Sequence, residues 1–436
     1  MFTEKEIKFY YCQTDNGIKS KIYAVAYTGL PTLYINTKGV EISSVTKENY
    51  VPVDFNLVMS DGTNIEKQLT KKGLKGRGNS SWGFPKKGYN LNFDNKEAFF
   101  NLPKSKKWCL IANYSDKTLI RNKFASALCD NVYASDWSPH YISIDLVVNN
   151  EYLGNYIFCE KNSIQEGRID IKDISKCDEA TLDEGGFLLE IDMYLTKPNR
   201  APSDDICLLS SKGIPFALKD PDEVSESTKE YILTVINKAE EVLYGNYFND
   251  FENGWRKYID ETSLIDWYII NEFAKNVDAG REFATSVYLY YNPSDKKLHF
   301  GPVWDFDISF GNSASSHNSL STVCSDVRNW YVKDMVWFPR LLEDRVFVAN
   351  IKTRWNGTKS KLNNEINTEI QKYADENVVS ANCNFMKWQI LGRWVIPSWP
   401  AVPGYKSRTT YQSEVDYMID WCNKRYNWID SEINKL

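Results

Sequence analysis

The stretch Gly301-Pro-Val-Trp-Asp-Phe-Asp-Ile-Ser-Phe-Gly-Asn312 sets two carboxylates, Asp305 and Asp307, between aromatic residues at what reads as the end of a strand. Period-two alternation puts both acids on one face. Carboxylates in such an apolar run are costly to bury unless they are neutralised, hydrogen-bonded or bound to a cation. For either Asp alone, a turn in which it caps the segment after Gly311 accounts for the pattern equally well. The two together, with Trp304 and Gly311, point to a metal or phosphate site.

Immediately upstream, Leu264, Trp267, Tyr268 and Asn271 recur at helical spacing on a segment that begins near Thr262-Ser263 and runs out at Asn276-Val-Asp-Ala-Gly280. Ser286 to Tyr291 and Lys297 to Phe300 then read as a short hairpin, so Asp278 precedes Asp305 by one hairpin. Helix end, loop acid, hairpin and second acid is also the order in which protein kinases present their catalytic loop and metal-binding motif. The wording differs: neither His-Arg-Asp nor Asp-Phe-Gly occurs in this stretch, and Phe283 stands where the kinase loop has Asn.

The N-terminal part reads as sheet. Ile7 to Tyr11, Ile22 to Tyr27, Thr32 to Ile35 and Val51 to Met59 are β-branched or aromatic runs cut by Gly, Asn and Asp. Lys75-Gly-Arg-Gly-Asn-Ser-Ser-Trp82, followed by the alternating Pro85 to Phe93, is a Gly-rich turn with cations at Lys75, Arg77, Lys86 and Lys87. Its freed backbone N–H groups and cations can cradle a phosphate. Composition alone favours a plain hairpin with a basic rim, and no Gly-Lys-Ser/Thr makes it a Walker loop. Ser115 to Leu128 reads as a capped helix with Arg121 near its start, where a cation gains nothing from the helix dipole and calls for an anionic partner. Tyr141 to Val148 and Tyr152 to Cys159 form a hairpin around Asn149-Asn150-Glu151, with Asp145 interrupting one strand and Glu160 ending the other, next to Lys161 as a simple surface partner. Glu190 and Asp192 share one face of the strand after Gly185-Gly186. Thr196 to Glu226, rich in Pro, Ser, Asp and Lys, separates this β-rich part from helical sequence, whose last stripe (Val415, Met418, Cys422, Tyr426, Ile429, Ile433) is core packing.

Composition narrows the function classes. With 52 Lys+Arg against 58 Asp+Glu, the net charge of -6 gives no general electrostatic grip on nucleic acid or anionic membrane. The nine Cys form no Cys-x-x-Cys pair, against a zinc knuckle or a dense disulfide scaffold, and the odd count leaves a free thiol. No run reaches the roughly 18 to 20 apolar residues of a membrane span, and Met1 to Phe9 lacks the apolar core of a signal peptide. The 14 Trp are a level often met where sugar rings are bound, although core packing accounts for most of them. Trp388, Trp394 and Trp399, among Pro397, Pro400 and Pro403, are the set placed to meet a surface glycan, with burial under the last helix the blander account.

Taken together, Arg77-Gly-Asn-Ser-Ser-Trp82, Pro85-Lys-Lys-Gly-Tyr89, Leu119-Ile-Arg-Asn122, Asn150-Glu-Tyr-Leu-Gly-Asn-Tyr156 with Glu160, and Trp304-Asp-Phe-Asp307 with Gly311 resemble the CotH family over about residues 70 to 350. The resemblance implies an α+β, atypical protein-kinase-like fold of two lobes in one unit: residues 1–200 β-rich with the basic hairpin, and 201–436 mainly helical with the acidic metal site. It implies phosphoryl transfer from ATP, with Mg or Mn, to Ser or Thr of a protein substrate in a bacterial spore coat or at a cell surface. By position, Asp305 would be the principal metal ligand and Asp278 the second essential acid, as base or metal ligand, with Asp307 a lesser ligand. Arg77 and Lys87 would neutralise phosphates, Arg121 would join the nucleotide-binding set, and Glu160 would lie in the nucleotide pocket or pair with a cation. Ser286 occupies the strand position where members often carry Asn, and would ligate through its hydroxyl. A non-catalytic coat or surface protein that keeps the fold is the alternative.

Overall fold

The computed structural model describes residues 4–11, 13–20, 23–133, 135–197, 205–280, 284–313, 324–395 and 402–436; the readings made on Phe283 and Trp399 lie outside them. β1 (Glu6–Tyr10) and β2 (Tyr23–Tyr27) pair as a separate ribbon. β3 (Thr32–Asn36), β4 (Val51–Val58), β5 (Asn64–Arg77), β6 (Gly88–Glu97), β7 (Ser105–Ile111), β8 (Tyr141–Val148) and β9 (Glu151–Glu160) close into a barrel in the order β3-β4-β5-β6-β7-β9-β8. Alternate residues of these strands, among them Leu33, Phe55, Leu91, Trp108, Leu146 and Phe158, fill its interior. The β8–β9 hairpin turns on Asn149 and Asn150 at φ 48° and 66°, the left-handed geometry its sequence predicts. Closure itself comes from a parallel pairing of β3 with β8, Leu33 opposite Leu146, which local alternation does not encode.

A second sheet runs β11-β12-β10-β13-β14, with β10 (Phe187–Ile191), β11 (Ile206–Leu209), β12 (Pro215–Asp220), β13 (Val287–Asn292) and β14 (Lys297–Phe300). The chain is therefore α+β as expected, but the division at residue 200 passes through this sheet, because β10 pairs with β12 on one side and β13 on the other.

The helices are α1 (Arg121–Leu128), α2 (Glu226–Leu243), α3 (Glu261–Ala274), α4 (Phe338–Leu341), α5 (Arg345–Lys387) and α6 (Tyr411–Glu432). α1 starts later than Ser115. Asp116 accepts hydrogen bonds from the backbone N–H groups of Thr118 and Arg121, and Leu119 sits at φ 63°, so 115–120 forms a tight turn ahead of the helix. α3 is capped by Asp260, which accepts from the Ser263 N–H, and stops where Lys275 adopts φ 44°.

A buried polar seam ties α5 to the barrel and explains the Asn150 to Tyr156 motif. Asn155 donates to Asn377 Oδ1 at 3.1 Å and to Ser380 Oγ at 2.9 Å, and Ser380 donates to Asp145 at 2.7 Å. Lys86 reaches the Asn155 carbonyl and, at 2.8 Å, Asn384 Oδ1, its amine pushed well below the usual lysine range by burial. Gly154 has φ 115°, and a Cβ there would lie 2.4 Å from Asn384 Oδ1, so the strand approaches the helix closely only because it lacks a side chain.

α6 is joined to α3 by a fully buried ion pair, Arg425 with Glu272 at 2.8 Å, whose carboxylate also accepts the N–H of Val332 at 2.7 Å. Removing one partner leaves the other charge buried and unpaired, at about 3–5 kcal/mol. Glu272→Ala is expected to lower unfolding stability by about that amount in a denaturant titration; a change under about 1 kcal/mol would show that the pair is dispensable.

Candidate functional site

The segment from Trp304 to Gly311 is held from several directions. Ser115 donates to the Asp307 carboxylate at 2.5 Å, the Phe306 N–H donates to Asn122 Oδ1 at 2.7 Å, and Arg121 Nε donates to the Ser309 carbonyl at 3.1 Å. The Phe310 N–H closes onto the carbonyl of Ala274 at the end of α3 at 2.8 Å. From α6, Tyr417 donates to the Gly311 carbonyl at 3.0 Å, and a Cβ on Gly311 (φ 79°) would meet Trp421 Cδ1 at 2.6 Å. Asp305 at φ 65° and Ser286 at φ 56° both lie in the left-handed region. That geometry is costly for non-glycine residues and is found where surrounding structure over-determines it.

Three of the expected acids lie near enough to shift one another's proton affinity. Burial pushes the Asp278 carboxyl well up from its ordinary value, and Asp305 and Asp307 push it further. Burial also raises Asp305, opposed by Arg77 and by hydrogen bonds with Asp307 and Ser286. Asp307 is raised to about 7 by burial and by Asp305, with Ser115 pulling the other way. Asp278 lies on a single turn after α3, where the Asn276 side chain accepts its backbone N–H at 3.2 Å. Its carboxylate has no hydrogen-bond partner among the described residues. Ser286 is delivered by Glu190, whose Oε1 accepts the Ser286 N–H at 2.8 Å while Oε2 pairs with Lys219 at 3.1 Å.

Arg77, from the end of β5, is the cation that faces this cluster. Its guanidinium lies 5.5 Å from the Trp304 ring centre and interacts with Asp305, and it has no hydrogen-bonded partner among the described residues. The other expected cations lie elsewhere. Lys87 donates to the Trp82 carbonyl and sits 4.9 Å over the Trp82 ring. Arg121 is completely buried, paired with Asp116 and spent on Ser309, so its guanidinium positions the acidic segment instead of meeting a nucleotide. Glu160 is likewise buried. It accepts from the His140 N–H at 3.1 Å and lies 3.3 Å from Arg168, not against Lys161 as its sequence neighbour implies.

Sequence reading missed Glu190 and Lys219 as supports of Ser286, and Lys86 as the buried cation of its pair. Glu190 showed as an acid alternating with apolar residues, but its partner lies on β12 and is fixed by cross-strand pairing. Among the described residues no three or more His, Cys, Asp or Glu side chains converge as a ready-made metal cage. The oxygen-only donors Asp305, Asp307 and Ser286, with the carboxylate of Asp278, fit a hard cation of the Mg²⁺ type, which uses one or two carboxylates and completes its shell with water and phosphate.

Carboxyls raised in the folded state bind more protons than in the unfolded chain between about pH 4 and pH 7, so they make stability fall as pH rises through that window. Asp278→Asn removes one of the repelling charges. It is expected to raise the melting temperature of metal-free protein at pH 8 and to flatten the decline between pH 4 and pH 8, followed by scanning calorimetry; an unchanged or lower value at pH 8 would refute the repulsion.

The model of the family described as CotH kinase protein matches residues 74–429. No curated protein sequence matches the chain. The match spans β6 to β14 and all six helices, including the acidic segment, Asp278 and Arg77. The chain belongs to the CotH family.

Proposed function

We propose that this protein is a metal-dependent protein Ser/Thr kinase of the CotH type, with a two-lobed kinase-like organisation, that moves the terminal phosphoryl group of ATP to a coat or surface protein. The observation that carries the reading is the electrostatic coupling of Asp278, Asp305 and Asp307 beside the guanidinium of Arg77, which has no hydrogen-bonded partner among the described residues. Three mutually repelling carboxylates cost stability when nothing binds them, and phosphoryl transfer is a reaction in which such a site has a use, since it needs mainly positioning and charge stabilisation.

In this reading Asp305 and Asp307, with the Ser286 hydroxyl, would hold Mg²⁺ or Mn²⁺, which when bound supplies charge neutralisation at the phosphate oxygens. Asp278 orients the acceptor hydroxyl and takes its proton. Its raised proton affinity suits a base at neutral pH better than an ordinary carboxylate would. Arg77 meets the phosphates and is held in place by the Trp304 face. Glu190 and Arg121 act through others, the first on Ser286 and the second on the loop of Asp305.

The competing reading, a non-catalytic coat or surface protein of the same fold, draws on the absence of a preformed metal cage among the described residues. Labelled ATP with Mg²⁺ or Mn²⁺ and a Ser/Thr-rich protein acceptor separates the two. Incorporation by the parent and at least a hundredfold less by Asp305→Ala is expected, and equal incorporation would sink the kinase reading. The cations are separable too: Arg77→Ala is expected to weaken ATP binding about tenfold or more, the scale of one lost charge-assisted contact of about 1.5–3 kcal/mol. Lys87→Ala is expected to leave ATP affinity within about twofold, because its amine serves Trp82; isothermal titration of the reverse order would exchange their roles.

A further inference from the structure

A second cavity, of about 420 Å³, opens beside Gly301, Pro302 and Val303, between the start of α3, the β13–β14 hairpin and residues 168–171. None of Asp278, Asp305, Asp307 or Arg77 lines it, so it is separate from the acidic centre. Its volume lies in the range of small-molecule sites and far exceeds what one water fills.

The wall carries unmet hydrogen-bonding capacity of both kinds. Trp137 Nε1, Arg168 Nη2 and His299 Nδ1 are buried with no hydrogen-bond partner, and the Arg168 and His299 side chains are 0% and 9% exposed. His299 Nδ1 lies 3.6 Å from Asp136 and 3.8 Å from Asp260, beyond hydrogen-bond reach of either. Trp137 Nε1 and Arg168 Nη2 are donors, while His299, whose Nε2–H meets Asp295 at 2.8 Å, offers Nδ1 as an acceptor in its neutral ring. Beside them stand four carboxylates: Asp136, which takes the Tyr290 hydroxyl at 2.6 Å, Asp260 at the cap of α3, Asp266, paired with Arg354, and exposed Asp170. A buried polar group left without a partner costs about 1–3 kcal/mol, so the set describes its occupant.

An anionic ligand would meet the four carboxylates. A cation would face Arg168 and leave the orphan donors unmet. An apolar ligand would satisfy neither set. Hydroxyl groups donate and accept at once, and the half-buried indole of Trp137 offers a flat apolar surface of the kind on which sugar C–H faces stack. We propose that this cavity is a binding site for a neutral saccharide of one or two rings. It stands independently of the kinase reading.

The test is saturation-transfer NMR followed by isothermal titration of the full chain. The probes are glucose, galactose and N-acetylglucosamine with a disaccharide of each, and spermidine and sulfate are the charged controls. At least one saccharide is expected to saturate. Trp137→Ala and the surface change Asp170→Asn are each expected to weaken it at least fivefold, Asp170→Asn with the melting temperature unchanged, and Asp305→Ala is expected to bind like the parent. Trp137→Ala tests the stacking face, and Asp170→Asn, at an exposed position, tests the polar rim in a variant that keeps the fold. Absence of saturation by every sugar, meaning a cavity filled by water only, would overturn the assignment. So would saturation by spermidine or sulfate alone, or parent-like sugar affinity in both cavity variants.

Discussion

Three carboxylates that repel one another are held at one place, and much of the surrounding structure follows from that constraint. Repulsion among partly buried acids would spread the loops apart unless their backbones were pinned independently of the acids themselves. The pins are groups that touch main chain: Arg121 on the Ser309 carbonyl, Asn122 on the Phe306 N–H, Asn276 on the Asp278 N–H, and Glu190, itself an acid paired with Lys219, on the Ser286 N–H. Each acts on main chain at or beside an acid and none of them occupies the acid's own carboxylate.

The same logic extends outward. Arg121 can be spent on the loop because Asp116 neutralises it in a volume closed to solvent. Lys219 lets Glu190 keep its charge beside Ser286. The barrel brings Arg77 to the cluster on the last residue of a strand, and the Asn155–Asn377–Ser380 seam fixes that barrel against α5. Polar contacts of this kind constrain direction where apolar packing tolerates sliding, so a few buried side chains set the approach of the basic hairpin to the acidic loop.

What could be read from the sequence divides along physical lines. Alternation and turn chemistry are local, and so the Asn149-Asn150 hairpin, barrel strands such as β3, β4, β8 and β9 and the end of α3 before Asp278 were legible, whereas β5 was not, its end at Lys75 to Arg77 reading as a Gly-rich turn. The acids of Trp304-Asp-Phe-Asp were legible because carboxylates between aromatics demand an explanation. Closure of the barrel through β3 and β8 was not, since the pairing joins distant segments. Charge was the poorest guide. Arg121 and Lys87 are cations in the right motifs, yet a guanidinium or ammonium reveals nothing in sequence of whether it faces a ligand, a carbonyl or a neighbouring ring.

The hold of α6 on the acidic centre has a temporal side. Tyr417 and Trp421 pack on Gly311, and Arg425 locks the end of α3 through Glu272, so supports of Asp278 and Asp305 come from a helix that follows both of them in sequence. As the polypeptide leaves the ribosome, the acids emerge long before the residues that gather them. A nascent chain carries the full set of charged groups without the architecture that concentrates them, and whatever chemistry the centre performs is withheld until α6 has been made.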